Sequence, residues 1–166
     1  MSQAELQRLL IECAADRLAL IQRHEAAARI VSHYDFNNAY QYVIAREETH
    51  LSWLQAALTE LELAMPQPGR ALPLPQKVKG RVETTAYRGI LEDEARLLGE
   101  FVERWRPRVT AMTQARHRTM LEIVLGESLE HQRLFQQAAS GFEDLLGRRT
   151  GGVARTGEVL STRWVE

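Results

Sequence analysis

Proline placement constrains this chain more than any other feature of its sequence. Residues 1–65 contain none, and four of the five prolines fall between Pro66 and Pro75. Proline ends helices and biases the residue before it toward extended backbone. Long helices are therefore open to the rest of the chain and closed to residues 66–80. Within the proline-free stretches, apolar side chains recur at helical spacing. Leu6, Leu10, Cys13, Leu20, Ala27 and Val31 mark helix A over 3–31. The run from Ser32 to Asn38 favours turns and caps, and Tyr40, Val43, Ile44, Leu54, Leu58 and Leu61 then mark helix B over 38–64. Helix C is expected over 82–105. Past Arg106, Pro107 and Arg108, helix D is expected over 109–146.

The segment between B and C, PQPGRALPLPQKVKG, reaches roughly 45 to 50 Å when extended, at about 3.3 Å per residue. A 25-residue helix is roughly 37 Å long, so this connector can run from one end of a bundle to the other and leave B and C parallel. The chain therefore reads as all-α: a four-helix bundle over 1–146 with a long B–C crossover connection over 65–80. A Gly- and Arg-rich tail over 147–166 follows, expected to be extended, with Val159, Leu160, Trp164 and Val165 available to dock on the bundle or on a second subunit.

Composition narrows the class. A length of 166 residues suits one domain. A net charge of −1 carries no footprint for nucleic acid. The single cysteine, Cys13, excludes an internal disulfide framework. No run of 18 apolar residues is present, and the first residues lack the pattern of a secretory leader. The expectation is a cytoplasmic protein that engages neither nucleic acid nor membrane.

The informative residues are ionisable groups in slots that the helical period assigns to the core, because buried charge is costly unless paired or metal-bound. On helix B these are Glu47 and His50, one turn apart on one face. On helix C it is Glu94, flanked by Leu91, Leu97 and Leu98, and on helix D they are Glu127 and His131. In a chain with five histidines, chance alone supplies roughly half a Glu three residues before a His. The signal is the coincidence of depth: at 1.5 Å per residue the three helices carry their acids within one or two turns of the same level.

The segments IAREETHLSWLQAAL (44–58) and LEIVLGESLEHQRLF (121–135), with Glu94 between them, resemble the ferritin-like superfamily, nearest to its rubrerythrin-like and bacterioferritin-like members. The resemblance spans about residues 3–146. It implies a dinuclear iron or manganese centre built from one Glu on each of two helices and a Glu-x-x-His on each of the other two. It also implies redox chemistry on oxygen, peroxide or iron, an external electron donor, and a homodimer. Carried over, the ligands are Glu47, His50, Glu94, Glu127 and His131, with Asp16 the positional match on helix A, 31 residues before Glu47. Arg17 and Tyr40 are candidates to orient them.

Two departures from that pattern stand out. Helix D places Glu127 and His131 four apart, with Glu130 in the slot expected for the histidine, and helix A has no core glutamate, although His24 lies on its inner stripe. Two other readings follow. His50, Glu127 and His131 at i, i+4 are similar to the mononuclear site of DinB-like bundles. Alternatively, the polar residues form internal salt links in a metal-free interaction module. The arginines 104, 106, 108, 116 and 118 around the C/D turn read as a solvated bundle end.

Overall fold

The computed structural model describes residues 1–78 and 83–147. Its helices are α1 (Gln3–Ala28), α2 (Tyr34–Glu60), α3 (Arg88–Thr110), entered through a 3-10 turn at Thr84–Tyr87, and α4 (Ala115–Ala139). No strand occurs among the described residues. The tail from 148 onward and the expected helical start at Val82 lie outside them.

Cross-helix pairs give the topology. Along α1 and α3, Glu12 meets Arg108, Asp16 meets Arg104 and His24 meets Glu94, so these helices are antiparallel. Along α2 and α4, Glu47 meets His131, His50 meets Glu127 and Glu60 meets Arg116, again antiparallel. Short turns make α1/α2 and α3/α4 hairpins. Hence α2 and α3 point the same way, and the chain between them must return along the whole bundle, as the connector's reach anticipates. Its described part, to Val78, lies as a strap over the α1/α3 groove, pinned at the middle of α1 by the Gly69 N–H donating to the Ala15 carbonyl at 2.8 Å. A Cβ on Gly69 would sit 3.2 Å from Asp16 Oδ1 and 3.3 Å from the Ala15 carbonyl oxygen, so glycine permits this approach.

The core is a continuous apolar column containing Leu10, Leu54, Leu58, Leu98, Phe101 and Trp105, all nearly inaccessible. Cys13 is buried within it, and burial pushes its thiol up to about 12. That makes it a small hydrophobe in practice.

Element ends differ from expectation for identifiable reasons. α1 begins with a capping box: the Ser2 hydroxyl accepts from the Glu5 N–H while Glu5 accepts from the Ser2 N–H. α2 starts at Tyr34, not 38, with His33 as its cap. α2 and α4 both stop in reversed turns. Leu63 N–H bonds Leu58 and Glu62 N–H bonds Thr59; Phe142 N–H bonds Gln137 and Gly141 N–H bonds Ala138. These paired bonds need a left-handed residue, supplied by Gly141 at φ +93° and, against propensity, by Glu62 at φ +58°. That is why α4 ends at 139 and not 146. α3 runs through Pro107 to Thr110, because a proline in the last turn forfeits one hydrogen bond while buried Trp105, Val109 and Met112 hold the chain to its path.

Candidate metal centre

The inner face of α1 follows the spacing 6, 10, 13, 17, 20, 24, 27, and two of these slots hold Arg17 and His24, both fully buried. On α2 the stripe through Tyr40, Val43, Leu54 and Leu58 carries Glu47 and His50 inward, each with no exposed surface. α3 contributes Glu94, also fully buried, and α4 contributes Ser128 and His131. All four helices therefore deliver polar side chains to one level of the core.

Glu47 is the hub. Its Oε1 lies 2.7 Å from Arg17 Nη1 and 3.3 Å from His131 Nδ1. Its Oε2 lies 3.3 Å from His24 Nε2. The other nitrogen of His24, Nδ1, is 2.5 Å from Glu94 Oε2, so this imidazole bridges two carboxylates. Arg23 Nε stands 3.5 Å from Glu94 Oε1. Arg17 is fixed further by donating to Ser128 Oγ at 2.7 Å and by lying 4.2 Å over the Phe101 ring.

Charge follows from these contacts. Burial opposes the charged form of His24, but Glu47 and Glu94 outweigh it and raise its pKa to about 10. Burial would lift Glu47; Arg17 and then His24 overcome that and hold its carboxyl well below the usual range. Tyr40, buried nearby, is pushed upward by desolvation and then by Glu94. The inner set is thus a charged network and not a row of neutral acids.

Glu127 sits apart, toward solvent. It is clamped by Arg46 at 2.6 and 3.1 Å and receives His50 Nε2 at 2.7 Å. Burial pushes the His50 pKa down to about 4, aided by Arg17. The His50 and His131 rings stack at 6.1 Å and link the two halves. Glu127 and His131 line a surface groove of about 960 Å³ between α2 and α4, with Tyr42, Arg133 and Leu134 on its walls. Of the buried polar set, His131 borders this groove.

The structure brings Glu47, His50, Glu94, Glu127 and His131 to one region but not Asp16. That carboxylate turns away, accepting from Arg104 at 2.7 Å and from Trp105 Nε1 at 3.0 Å, and it lines a cavity of about 280 Å³ under the strap. The reason is angular: Asp16 is one residue, about 100°, from the inward position that Arg17 occupies. Glu130 is exposed and paired with Arg133, so His131 is the inward residue of that pair. His24 belongs at the heart of the network, a place its position alone did not single out. The signal was present in the α1 stripe, whose apolar members skip 17 and 24.

The donor chemistry is carboxylate and imidazole, which suits iron, manganese or zinc. Glu47 Oε2, Glu94 Oε1 and His50 Nδ1 are buried without a well-aligned hydrogen bond to any described residue; the first two face the cationic His24 and Arg23 at 3.3 and 3.5 Å, and a metal ion would have to compete with those groups for them. Arg17 and Arg23 stand at the same level as these acceptors. At the level of Glu47, α1 supplies an arginine and a histidine where a dinuclear centre of the ferritin type needs a carboxylate. Among the described residues, three ligand atoms lie within 4.8 Å of one another at His33, Asp35 and Glu143, at the far end of the bundle, and not in the central set. There His33 Nδ1 lies 3.5 Å from the Phe36 N–H and Nε2 lies 3.4 Å from Glu143 Oε1. No family model, curated protein or solved structure matches the chain. Among the described residues no helix is long and apolar enough to cross a membrane.

Proposed function

We propose that this bundle is a ferritin-like metal-binding protein that holds one iron or manganese ion among His24, Glu47, Glu94 and His131, with His50 and Glu127 on the groove side. One observation carries the reading. Carboxylates and imidazoles from all four helices converge at one buried level, where several of their acceptor atoms make no hydrogen bond. Loaded, the ion would supply redox chemistry toward oxygen or peroxide, or would itself be the iron handled. The protein's own part is to orient the ligands. His24 is held between two carboxylates, Glu127 is anchored by Arg46, and the apolar column keeps water from the inner side. A homodimer and an external electron donor belong to this proposal and rest on the resemblance alone.

The metal-free reading has its own support, the Arg17–Glu47 and Arg46–Glu127 ion pairs. Anaerobic titration of metal-free protein with Fe(II) or Mn(II), followed by desalting and elemental analysis, separates the two. About one equivalent, lost in a Glu47→Ala, Glu94→Ala double variant, is the expected result. Uptake that the double variant leaves unchanged, or none at all, would end the metal reading and favour the interaction module.

A further inference from the structure

His33, Asp35 and Glu143 meet at the end of the bundle where α1 turns into α2 and where α4 stops. One ligand atom from each lies within 4.8 Å of the others. They come from two separate places in the chain. His33 caps α2 and Asp35 stands in its first turn, while Glu143 lies past the end of α4.

We propose that these three residues form a zinc-binding site, separate from the central polar level, that ties the α1/α2 turn to the segment after α4. The inference does not rest on the reading of the centre, and either can fail alone.

Donor geometry carries it furthest. His33 Nε2 stands 3.4 Å from Glu143 Oε1, beyond the roughly 2.7 to 3.2 Å of a good N–H···O bond. Zinc takes imidazole nitrogen and carboxylate oxygen at about 2.0 to 2.2 Å in a tetrahedral array, which sets two such ligands about 3.3 to 3.5 Å apart. The pair already has the spacing of one edge of that tetrahedron. Asp35, with an oxygen inside the same 4.8 Å, supplies the third corner and water the fourth. The remaining ring nitrogen, Nδ1, makes only the 3.5 Å contact with the Phe36 N–H.

The donors are also held from behind. The His33 ring lies against that of buried Phe36, with centroids 4.3 Å apart. Glu143 sits between Gly141, whose φ of +93° turns the chain off α4, and buried Leu145, whose N–H donates to the Glu143 carbonyl at 2.8 Å. Both stretches are anchored on the core, so little ordering is left for an ion to impose.

Charge and access agree with this. The two carboxylates outweigh the roughly half positive charge at the N-terminus of α2. The His33 and Glu143 side chains keep 22 % and 41 % of their surface exposed, so an ion enters from solvent without opening the core. An imidazole in the set favours zinc over magnesium or calcium, which take oxygen donors.

The test uses the full chain, stripped with a chelator and titrated with Zn(II) by calorimetry while melting is followed in parallel. His33→Ser removes the imidazole and leaves a residue that caps helices well. Glu143→Gln removes the charge and keeps the shape. A Glu47→Ala, Glu94→Ala double variant separates this end from the centre. The expected result is one equivalent of zinc that raises the melting temperature, as binding to the folded state alone must, and that the double variant retains. In His33→Ser and Glu143→Gln that affinity should fall by more than the roughly 10- to 100-fold that loss of a group merely orienting a ligand costs. Among the histidine ring signals in the NMR spectrum, zinc should shift the one missing from His33→Ser.

No zinc uptake by the wild type overturns the inference, and so does unchanged affinity in His33→Ser. Zinc kept by His33→Ser and lost in the double variant assigns the ion to the centre and overturns it as well. Circular dichroism establishes that each variant folds. Should His33→Ser not fold, Glu143→Gln decides, and should the double variant not fold, the histidine signal that zinc shifts places the ion.

Discussion

The Arg17 guanidinium and the Glu47 carboxylate meet at 2.7 Å with neither side chain exposed to solvent. Removing one partner of such a pair strands a charge in the core, which costs about 3 to 5 kcal/mol, whereas replacing both by apolar residues is often close to neutral. In the metal-free protein, Arg17→Met is expected to destabilise by that amount, and Arg17→Met with Glu47→Leu by distinctly less. Urea unfolding of the double-mutant cycle measures the difference. Additive losses would mean that the two residues do not stabilise the fold as a pair.

Two buried histidines, His24 and His50, give the metal-free protein opposite responses to pH. His24 binds its proton more tightly when folded, with a pKa near 10 against roughly 6.5 unfolded. Its contribution is complete below pH 6.5 and is lost as pH rises toward 10. His50 is shifted down to about 4. Its contribution is complete above pH 6.5 and is lost as pH falls toward 4, where the unfolded chain takes up a proton that the core refuses. The urea midpoint should therefore peak near pH 6.5. His24→Phe should flatten the alkaline limb and His50→Phe the acidic one; a midpoint rising from pH 6.5 to 9 would contradict the assignment for His24.

Glu62 closes α2 in a left-handed conformation that side chains with a Cβ adopt at a cost of about 1 to 2 kcal/mol. Glu62→Gly should raise stability by about 1 kcal/mol, visible as a higher melting temperature. Gly141→Ala, at the matching position after α4, should lower it by a similar amount. Equal effects of the same sign from the two changes would disprove the shared geometry.

Asp16 accepts from Arg104 and from the indole of Trp105 at the strap-covered groove. Asp16→Asn keeps one acceptor oxygen, so a loss of about 0.5 to 1.5 kcal/mol is expected, with metal uptake unaltered. A fall in bound metal would return Asp16 to the ligand set.

Much of this arrangement was legible in the residues. The proline-rich segment 66–75 announced a crossover because no helix can hold it and its length matches the bundle. Glu47, His50 and Glu94 announced a polar level because each interrupts a stripe that is otherwise apolar. Helix ends were less legible. Reversed turns depend on a single left-handed residue, and Glu62 gives no hint of one; Pro107 looked like a stop because its tolerance depends on the burial of Trp105, Val109 and Met112.

By itself the sequence determined most of the side chains that share the interior: periodicity at 3.6 residues assigns a face, and the α1 stripe passes through Arg17 and His24, although the resemblance pointed to Asp16. What tertiary structure decided is the pairing among them. Whether Glu47 faces an arginine, a histidine or another acid depends on the rotation and depth of four helices relative to one another. Those are set by packing of the whole apolar column and by the strap, and a one-residue turn of α1 separates Asp16 on the surface from Arg17 at the hub.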